Sequence, residues 1–221
     1  MKKTATLISY IFHPLFVSFF NILFLLISIG NRGPVLGFTL LLSLFFLVLI
    51  PVFYTVLIIF LEKRNFKLSY LSEAGIDERT KILAVSIIHF LIFLILTTNL
   101  NFVFLRDYKT MFSTIIMGMV LISIVSFLFH FFGVKNSLHT LVLSFFACFY
   151  LIFIWQVPDL NSLATFNKSL LLNAAATNLL ILIPVSFSRY FLKSHDWLEI
   201  AFGIFIGIFC PIVLTLLSYG L

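Results

Sequence analysis

Long uncharged stretches decide the fold, and residues 36–61 form the longest of them: LGFTLLLSLFFLVLIPVFYTVLIIFL. A helix needs about 20 apolar residues to cross roughly 30 Å of hydrocarbon, so this stretch is long enough to span a membrane. Six other segments approach that length, at residues 7–29, 82–97, 111–132, 138–155, 170–187 and 197–218. The sequence therefore predicts an all-α, polytopic transmembrane helical bundle of about seven spans. A short third segment and a short connection at 133–137 leave six or eight spans compatible with the pattern.

The composition excludes several functional classes. Of the 221 residues, 62% are hydrophobic and 10% are charged, whereas about a quarter of the residues of a soluble domain are charged. This excludes a soluble enzyme, a nucleic-acid-binding protein and a disordered chain. The net charge of +6 arises in the connections between the apolar runs, where cations orient membrane helices and meet anionic headgroups. We expect one transmembrane domain over residues 1–221, located in a plasma membrane, the inner membrane of a bacterium.

One polar motif stands between the last two apolar segments. Its skeleton is Ser188-Arg189-x5-His195-x3-Glu199. Residues four apart at the start of a helix share a face, so Glu199 is predicted to accept a hydrogen bond from one imidazole nitrogen of His195. The other nitrogen is then unprotonated, which suits a nucleophile. The planar guanidinium of Arg189 suits two oxygens of a phosphate group.

This motif resembles the third signature box of the type 2 phosphatidic acid phosphatases, the PAP2 family of membrane lipid phosphatases, whose form is Ser-Arg-x5-His-x3-Asp. The second box, Pro-Ser-Gly-His, resembles residues 136–139, where Ser137 and His139 match and Asn136 and Leu138 differ. The first box is Lys-x6-Arg-Pro, and Arg79 is the nearest candidate. Here Ser72 stands at the Lys position and Thr80 at the Pro position. The resemblance implies a PAP2-like core over residues 79–221, preceded by two N-terminal spans in residues 1–61.

The resemblance also implies a role for each matching residue. His195 attacks phosphorus to give a phosphohistidine, Glu199 orients His195, and His139 protonates the leaving group. Arg189 and Ser137 hold the phosphate, and Arg79 and Lys81 are candidates for further phosphate ligands. The implied substrate is a lipid phosphate or an isoprenoid pyrophosphate, which enters from the surrounding membrane lipids. No cofactor, metal ion or nucleic acid is implied, and the sequence leaves the oligomeric state and the orientation of the site across the membrane open.

Other interpretations of the same residues stay open at this point. An acid in the first turn of a helix interacts favourably with the helix dipole, so His195 and Glu199 also fit a simple cap of the last span. Ser137 fits an ordinary helix N-cap, and Arg79 and Lys81 fit loop cations. Three histidines lie within apolar runs: His13, His89 and His130. A neutral imidazole that bonds to a neighbouring helix accounts for each of them.

The alternative to an enzyme is a non-catalytic PAP2-like membrane protein that binds lipid, moves it or serves as a membrane partner. The departures from the first and second boxes favour this alternative, whereas the nearly complete third box favours the phosphatase. A small transporter would show broken helices in two matching halves, and the sequence gives no sign of them.

Overall fold

A computed structural model describes residues 2–28, 34–63, 76–99, 109–156 and 167–219. All regular structure in these ranges is helical, with a single π-helical turn at Phe45–Leu49. The helices are α1 (Lys2–Ile11), α2 (Pro14–Ser28), α3 (Pro34–Leu44), α4 (Ile50–Lys63), α5 (Ile76–Asn99), α6 (Lys109–Phe131), α7 (Leu138–Gln156), α8 (Lys168–Phe191) and α9 (Trp197–Tyr219). The predicted all-α fold is therefore confirmed for the described residues.

Six spans in the described ranges are long and apolar enough to cross a membrane. They run over residues 37–58, 79–99, 112–131, 138–155, 168–191 and 197–217. The expected first span is a bent pair instead, because α1 and α2 meet at an angle of 47°. Counting the pair as one span gives the seven expected segments. The bend occurs where Pro14, which has no backbone N–H, begins α2.

The π-helical turn has a local cause in the second segment. Pro51 offers no N–H to the carbonyl four residues earlier, and its ring crowds that carbonyl. Directly before it, the N–H of Ile50 donates to the carbonyl of Phe45, five residues back, which is the π-helical pattern. The chain thus accommodates Pro51 by widening one turn, and α3 and α4 together form a single span.

Helix α7 is the most buried of the spanning helices and packs against α8 on one side and α9 on the other. Asn21 of α2 and Asn178 of α8 exchange two side-chain hydrogen bonds, of 3.1 and 2.7 Å, and the hydroxyl of Tyr150 donates to the carbonyl of Asn21 at 2.7 Å. Amide pairs of this kind hold helices together where lipid offers no alternative partner. These bonds attach α2 of the bent N-terminal pair to α8 and to α7.

Two glycines bring α9 against the backbone of α7. A Cβ atom at Gly207 would overlap Ser144 Oγ and the carbonyl oxygen of Leu141, and a Cβ at Gly203 would overlap the carbonyl of Ser137. Because two of these neighbours are backbone atoms, a side-chain rotation cannot relieve the overlap. The small residues at these positions therefore set the spacing between α7 and α9.

We expect Gly207→Ala to destabilise the protein by about 1–3 kcal/mol, the usual cost of forcing extra atoms into a packed interior. The measurement is the thermal unfolding midpoint in detergent. Gly37→Ala is the matched control, since among the described residues no atom outside its own helix backbone lies within 4 Å of its Cβ position. Alanine is preferred to glycine within a helix, so the control should be neutral or slightly stabilising. Equal midpoints for the two variants would contradict this account of the helix contact.

Candidate functional site

His195 and Glu199 are in direct contact at the start of α9. His195 Nδ1 lies 2.8 Å from Glu199 Oε2. Asp196 caps the helix, because its Oδ1 accepts the N–H of Glu199 at 2.8 Å. His195 thus lies in the turn before the helix and not on a helix face, and it reaches Glu199 from there. The carboxylate can only accept, so Nδ1 carries the proton of this bond.

A tight turn at the end of α8 fixes the backbone of His195. Lys193 has φ of 55°, and its N–H donates to the carbonyl of Tyr190 at 2.9 Å. The next N–H, of Ser194, donates to the carbonyl of Arg189 at 3.2 Å. These two bonds define a Schellman motif, in which one residue adopts a left-handed conformation after the last helical turn. The N–H of His195 also donates to the carbonyl of Arg189, at 3.4 Å, so the two site residues share a backbone bond.

The second nitrogen of His195 faces a cation. Arg79 Nη1, from the start of α5, lies 3.3 Å from His195 Nε2. A guanidinium only donates, so Nε2 accepts this bond and is the unprotonated nitrogen. His195 is 4% exposed. Its pKa lies far below the usual 6.5 because burial disfavours the charged form, and Arg79, Arg189, His130 and Lys135 lower it further. The imidazole is therefore neutral at physiological pH.

This lowered pKa predicts a pH dependence of stability. Below pH 6.5, the unfolded chain binds a proton at this position and the native protein does not, so the free energy of unfolding falls as the pH falls. One such group contributes up to about 1.36 kcal/mol per pH unit. We expect His195→Gln to flatten the decrease in the thermal midpoint between pH 7 and pH 5, measured in detergent. An unchanged slope in the variant would contradict a buried, neutral His195.

Arg189 is a buried cation that connects α8 to α1. It is 1% exposed, and its Nη1 donates to Ser9 Oγ of α1 at 2.7 Å. Beside it, Ser188 Oγ donates to the carbonyl of Ala5 at 2.6 Å. The N-terminal helix α1 is therefore attached to the end of α8 by hydrogen bonds from the Ser-Arg pair of the motif. A buried charge is costly unless it is bonded, and the bond to Ser9 satisfies one of the guanidinium's donors.

His139, on α7, also contacts Ser9. Its Nε2 donates to the carbonyl of Ser9 at 3.2 Å and lies 3.5 Å from Ser9 Oγ. The ring of His139 packs edge-on against that of His13, with centroids 5.5 Å apart. The N–H of Ser137 donates to the carbonyl of Glu199 at 3.1 Å, which joins the start of α7 to the start of α9. This bond fixes the position of His139 relative to the His195 pair.

These side chains meet in one cavity of about 120 Å³. The basic residues that line it are His13, Arg79, His139, Arg189 and His195. The rest of the wall is apolar apart from three hydroxyl groups, on Tyr54, Thr55 and Ser86. No carboxylate lines the cavity among the described residues, since Glu199 lies behind His195. The cavity thus presents two guanidinium groups and three imidazoles, which suits an anion.

Several sequence-predicted site residues meet at this cavity and two do not. His195, His139, Arg189 and Arg79 line it, and Glu199 bonds to His195. Lys81 is exposed and does not line the cavity, although it lies near Arg79 in the sequence. Ser137 is buried outside the cavity, and its Oγ has no hydrogen-bond partner among the described residues. Ser72, at the Lys position of the first box, lies outside the described residues.

Sequence reasoning missed Ser9 and His13, which both come from the bent N-terminal pair. The only signal for them was the unusual Phe12-His13-Pro14 within an apolar run. The other two histidines of the apolar runs each bond to a carbonyl four residues earlier in their own helix, and His89 also has a hydrogen bond to the backbone of Phe46 in the neighbouring span, as expected. His89 Nδ1 donates to the carbonyl of Val85 at 3.2 Å, and His130 Nδ1 donates to that of Ser126 at 2.7 Å.

No metal-binding group of three or more His, Cys, Asp or Glu side chains occurs in the described part of the chain. The comparisons with known proteins add no family to this geometry. No protein-family model, curated protein or solved structure matches the chain.

Proposed function

We propose that the protein is an integral membrane lipid phosphatase or phosphotransferase of the PAP2 type, located in the inner membrane of a bacterium. One observation carries the proposal. His195 presents an unprotonated Nε2 at a buried cavity, its Nδ1 is held by Glu199, and two guanidinium groups line the same cavity. A neutral, oriented imidazole beside fixed cations suits covalent attack on a phosphate ester.

In the first step, the cations of the cavity bind the phosphate group of the substrate. Arg79 exchanges its bond to Nε2 for one to a phosphate oxygen, which frees the Nε2 lone pair. Nε2 forms a bond to phosphorus while the phosphorus–oxygen bond to the lipid breaks, and the electron pair of that bond stays on the lipid oxygen. His139 takes the acidic proton of the bound phosphate monoester and, as an imidazolium, gives it to this oxygen.

In the second step, water releases the phosphate. His139 is now neutral and takes a proton from the water, whose oxygen attacks phosphorus. The phosphorus–nitrogen bond breaks, its electron pair returns to Nε2 of His195, and inorganic phosphate leaves. Glu199 balances the positive charge that the His195 ring carries while it is phosphorylated, because its carboxylate stays bonded to Nδ1–H. An alcohol in place of water would make the same reaction a phosphoryl transfer.

A non-catalytic PAP2-like protein that binds or moves lipid is the second candidate. The observation that favours it is the absence of Lys81 and Ser137 from the cavity lining, which leaves fewer phosphate ligands than the family pattern implies. Such a protein would bind a lipid phosphate at the same cations without cleaving it.

The test is release of inorganic phosphate by the purified protein in lipid nanodiscs, with a panel of lipid phosphates and isoprenoid pyrophosphates. The enzyme proposal requires release by the wild type and its loss in His195→Ala. Binding of a lipid phosphate without any release above that variant would instead favour the non-catalytic candidate.

A further inference from the structure

A second cavity continues from the first into the membrane-spanning part of the bundle. Its volume is about 80 Å³, and it lies between α2, α5, α6 and α7. The two cavities share five lining residues: Pro14, Leu15, Leu83, Ser86 and Leu138. Along α5 the wall of the second cavity runs from Leu83 to Phe90, eight residues that cover about 10 Å of helix. Any group attached to a phosphate in the first cavity is therefore next to the second.

The second cavity is chemically apolar, although three serines line it. Its remaining wall comprises Pro14, Leu15, Leu83, Phe90, Met119, Ile122, Leu138, Leu141 and Val142. Ser18, Ser86 and Ser123 each donate at 2.8 Å to the carbonyl four residues earlier in their own helix. Because each hydroxyl proton is already bonded, none of the three serines offers a donor to a bound molecule.

The size of the cavity limits what it can hold. A cavity of about 150 Å³ in a protein core binds one benzene ring, so about 80 Å³ accommodates a few methylene groups of one chain. An ester carbonyl placed there would lose its hydrogen bonds to water and find no donor in return. The space therefore suits hydrocarbon attached directly to the phosphate oxygen, and disfavours the polar backbone of a glycerolipid.

We propose that the second cavity binds the first carbons of the substrate chain, and that the substrate is an alkyl or prenyl phosphate and not a glycerolipid phosphate. This inference rests on the proposed function, because it assigns the phosphate of the same molecule to the first cavity. The cations hold the phosphate at the level where α2 and α7 begin, and the chain extends between α2, α5, α6 and α7.

The test compares three phosphate esters at equal protein concentration. Hexadecyl phosphate carries the chain directly, palmitoyl lysophosphatidate carries a chain of the same length through a glycerol ester, and methyl phosphate carries no chain. We expect kcat/KM for hexadecyl phosphate to exceed that for lysophosphatidate by at least about tenfold, since each buried methylene favours binding and the ester carbonyl does not. Equal values for these two lipids would overturn the proposal.

Variants that fill the cavity give the second readout. Ser123→Leu from α6 and Ser18→Leu from α2 each add three carbons to its wall. We expect either variant to lower kcat/KM for hexadecyl phosphate about tenfold more than for methyl phosphate. Ser169→Leu is the matched control, since Ser169 is exposed on α8 and lines neither cavity. Two independent positions guard against a variant that fails to fold.

The outcomes separate this inference from the proposed function. If the wild type releases phosphate and both cavity variants affect the two esters equally, the chain cavity is overturned and the phosphatase stands. If no ester releases phosphate, the phosphatase fails. The cavity is then tested by a photoreactive hexadecyl phosphate with a diazirine near its first carbons. Labelling of Met119 or Ile122 that Ser123→Leu abolishes would support it, and labelling confined to other helices would overturn it.

Discussion

Replacement of His195 by alanine is expected to lower phosphate release from a lipid phosphate by at least about 10³-fold, the scale of loss when a covalent nucleophile is removed. The reason is that no other imidazole in the cavity combines the two required bonds. His195 alone has a carboxylate on Nδ1 and an unprotonated Nε2 that faces a guanidinium. In His139, by contrast, the bond to the carbonyl of Ser9 places the proton on Nε2.

The covalent intermediate gives an independent measurement of the same prediction. A lipid phosphate labelled with radioactive phosphorus should transfer label to the wild-type protein, and the bond should be labile to acid and stable to alkali, as a phosphohistidine is. The label should be absent from His195→Ala. In Glu199→Gln the label should form more slowly, because the amide holds Nδ1–H without balancing the positive charge of the phosphorylated ring.

His89→Ala is the matched control for this experiment. His89 is also a buried histidine, on α5, but it lines neither of the two cavities. Its replacement should leave phosphate release within about threefold of the wild type. Equal losses in His89→Ala and His195→Ala would indicate a general effect of removing a buried histidine and contradict the role of His195.

Substitution of Arg189 by lysine is expected to lower kcat/KM by about 10²–10³-fold while the positive charge is retained, the range seen when one fixed donor to a reacting anion is removed. The guanidinium has several donors in a rigid plane, so it can bond to Ser9 and to a phosphate at once. The ammonium of lysine, on a flexible side chain, cannot hold hydrogen bonds to Ser9 and to a phosphate at the same time. The same substitution should weaken the attachment of α1, because the bond from Arg189 to Ser9 is lost.

Two comparisons make the Arg189 prediction specific. Ser9→Ala removes the partner in α1 and keeps the guanidinium, so it should lower the thermal midpoint more than it lowers kcat/KM. Lys81→Ala removes an exposed cation that does not line the cavity, and it should change kcat/KM by less than about threefold. A loss of kcat/KM in Lys81→Ala as large as that in Arg189→Lys would mean that overall charge, and not the buried guanidinium of Arg189, governs the reaction.

Much of the fold was predictable because apolar length alone decides whether a helix crosses a membrane. The predicted segment at residues 138–155 coincides with the span found there, and the others agree to within a few residues. The break between α1 and α2 was less predictable. Pro14 indicated only that a helix begins or bends, whereas the 47° angle depends on bonds from Ser9 and Asn21 to distant helices.

The candidate site was predictable only where its residues are close in the sequence. The contact of His195 with Glu199 was predictable because the two residues are only four apart, although His195 makes it from the turn before α9 and not from the helix face that the prediction assumed. Arg79 reaches His195 across 116 residues of sequence, and Ser9 reaches Arg189 across 180. No periodicity connects residues so far apart, and the sequence around Arg79 favoured a loop cation over a phosphate ligand.

The sequence by itself determined that this protein lies in a membrane, that its spans are helices, and that one short motif carries an oriented histidine. These properties follow from composition and from interactions between residues close in the sequence, so they do not depend on how distant parts of the chain pack. The tertiary structure decided that Ser9 and His13 of the bent N-terminal pair join the site, that Lys81 and Ser137 stay out of it, and that an apolar cavity adjoins it. These features depend on which helices pack together. That packing is set by contacts such as the close approach of Gly207 to the backbone of α7 and the hydrogen bonds between Asn21 and Asn178.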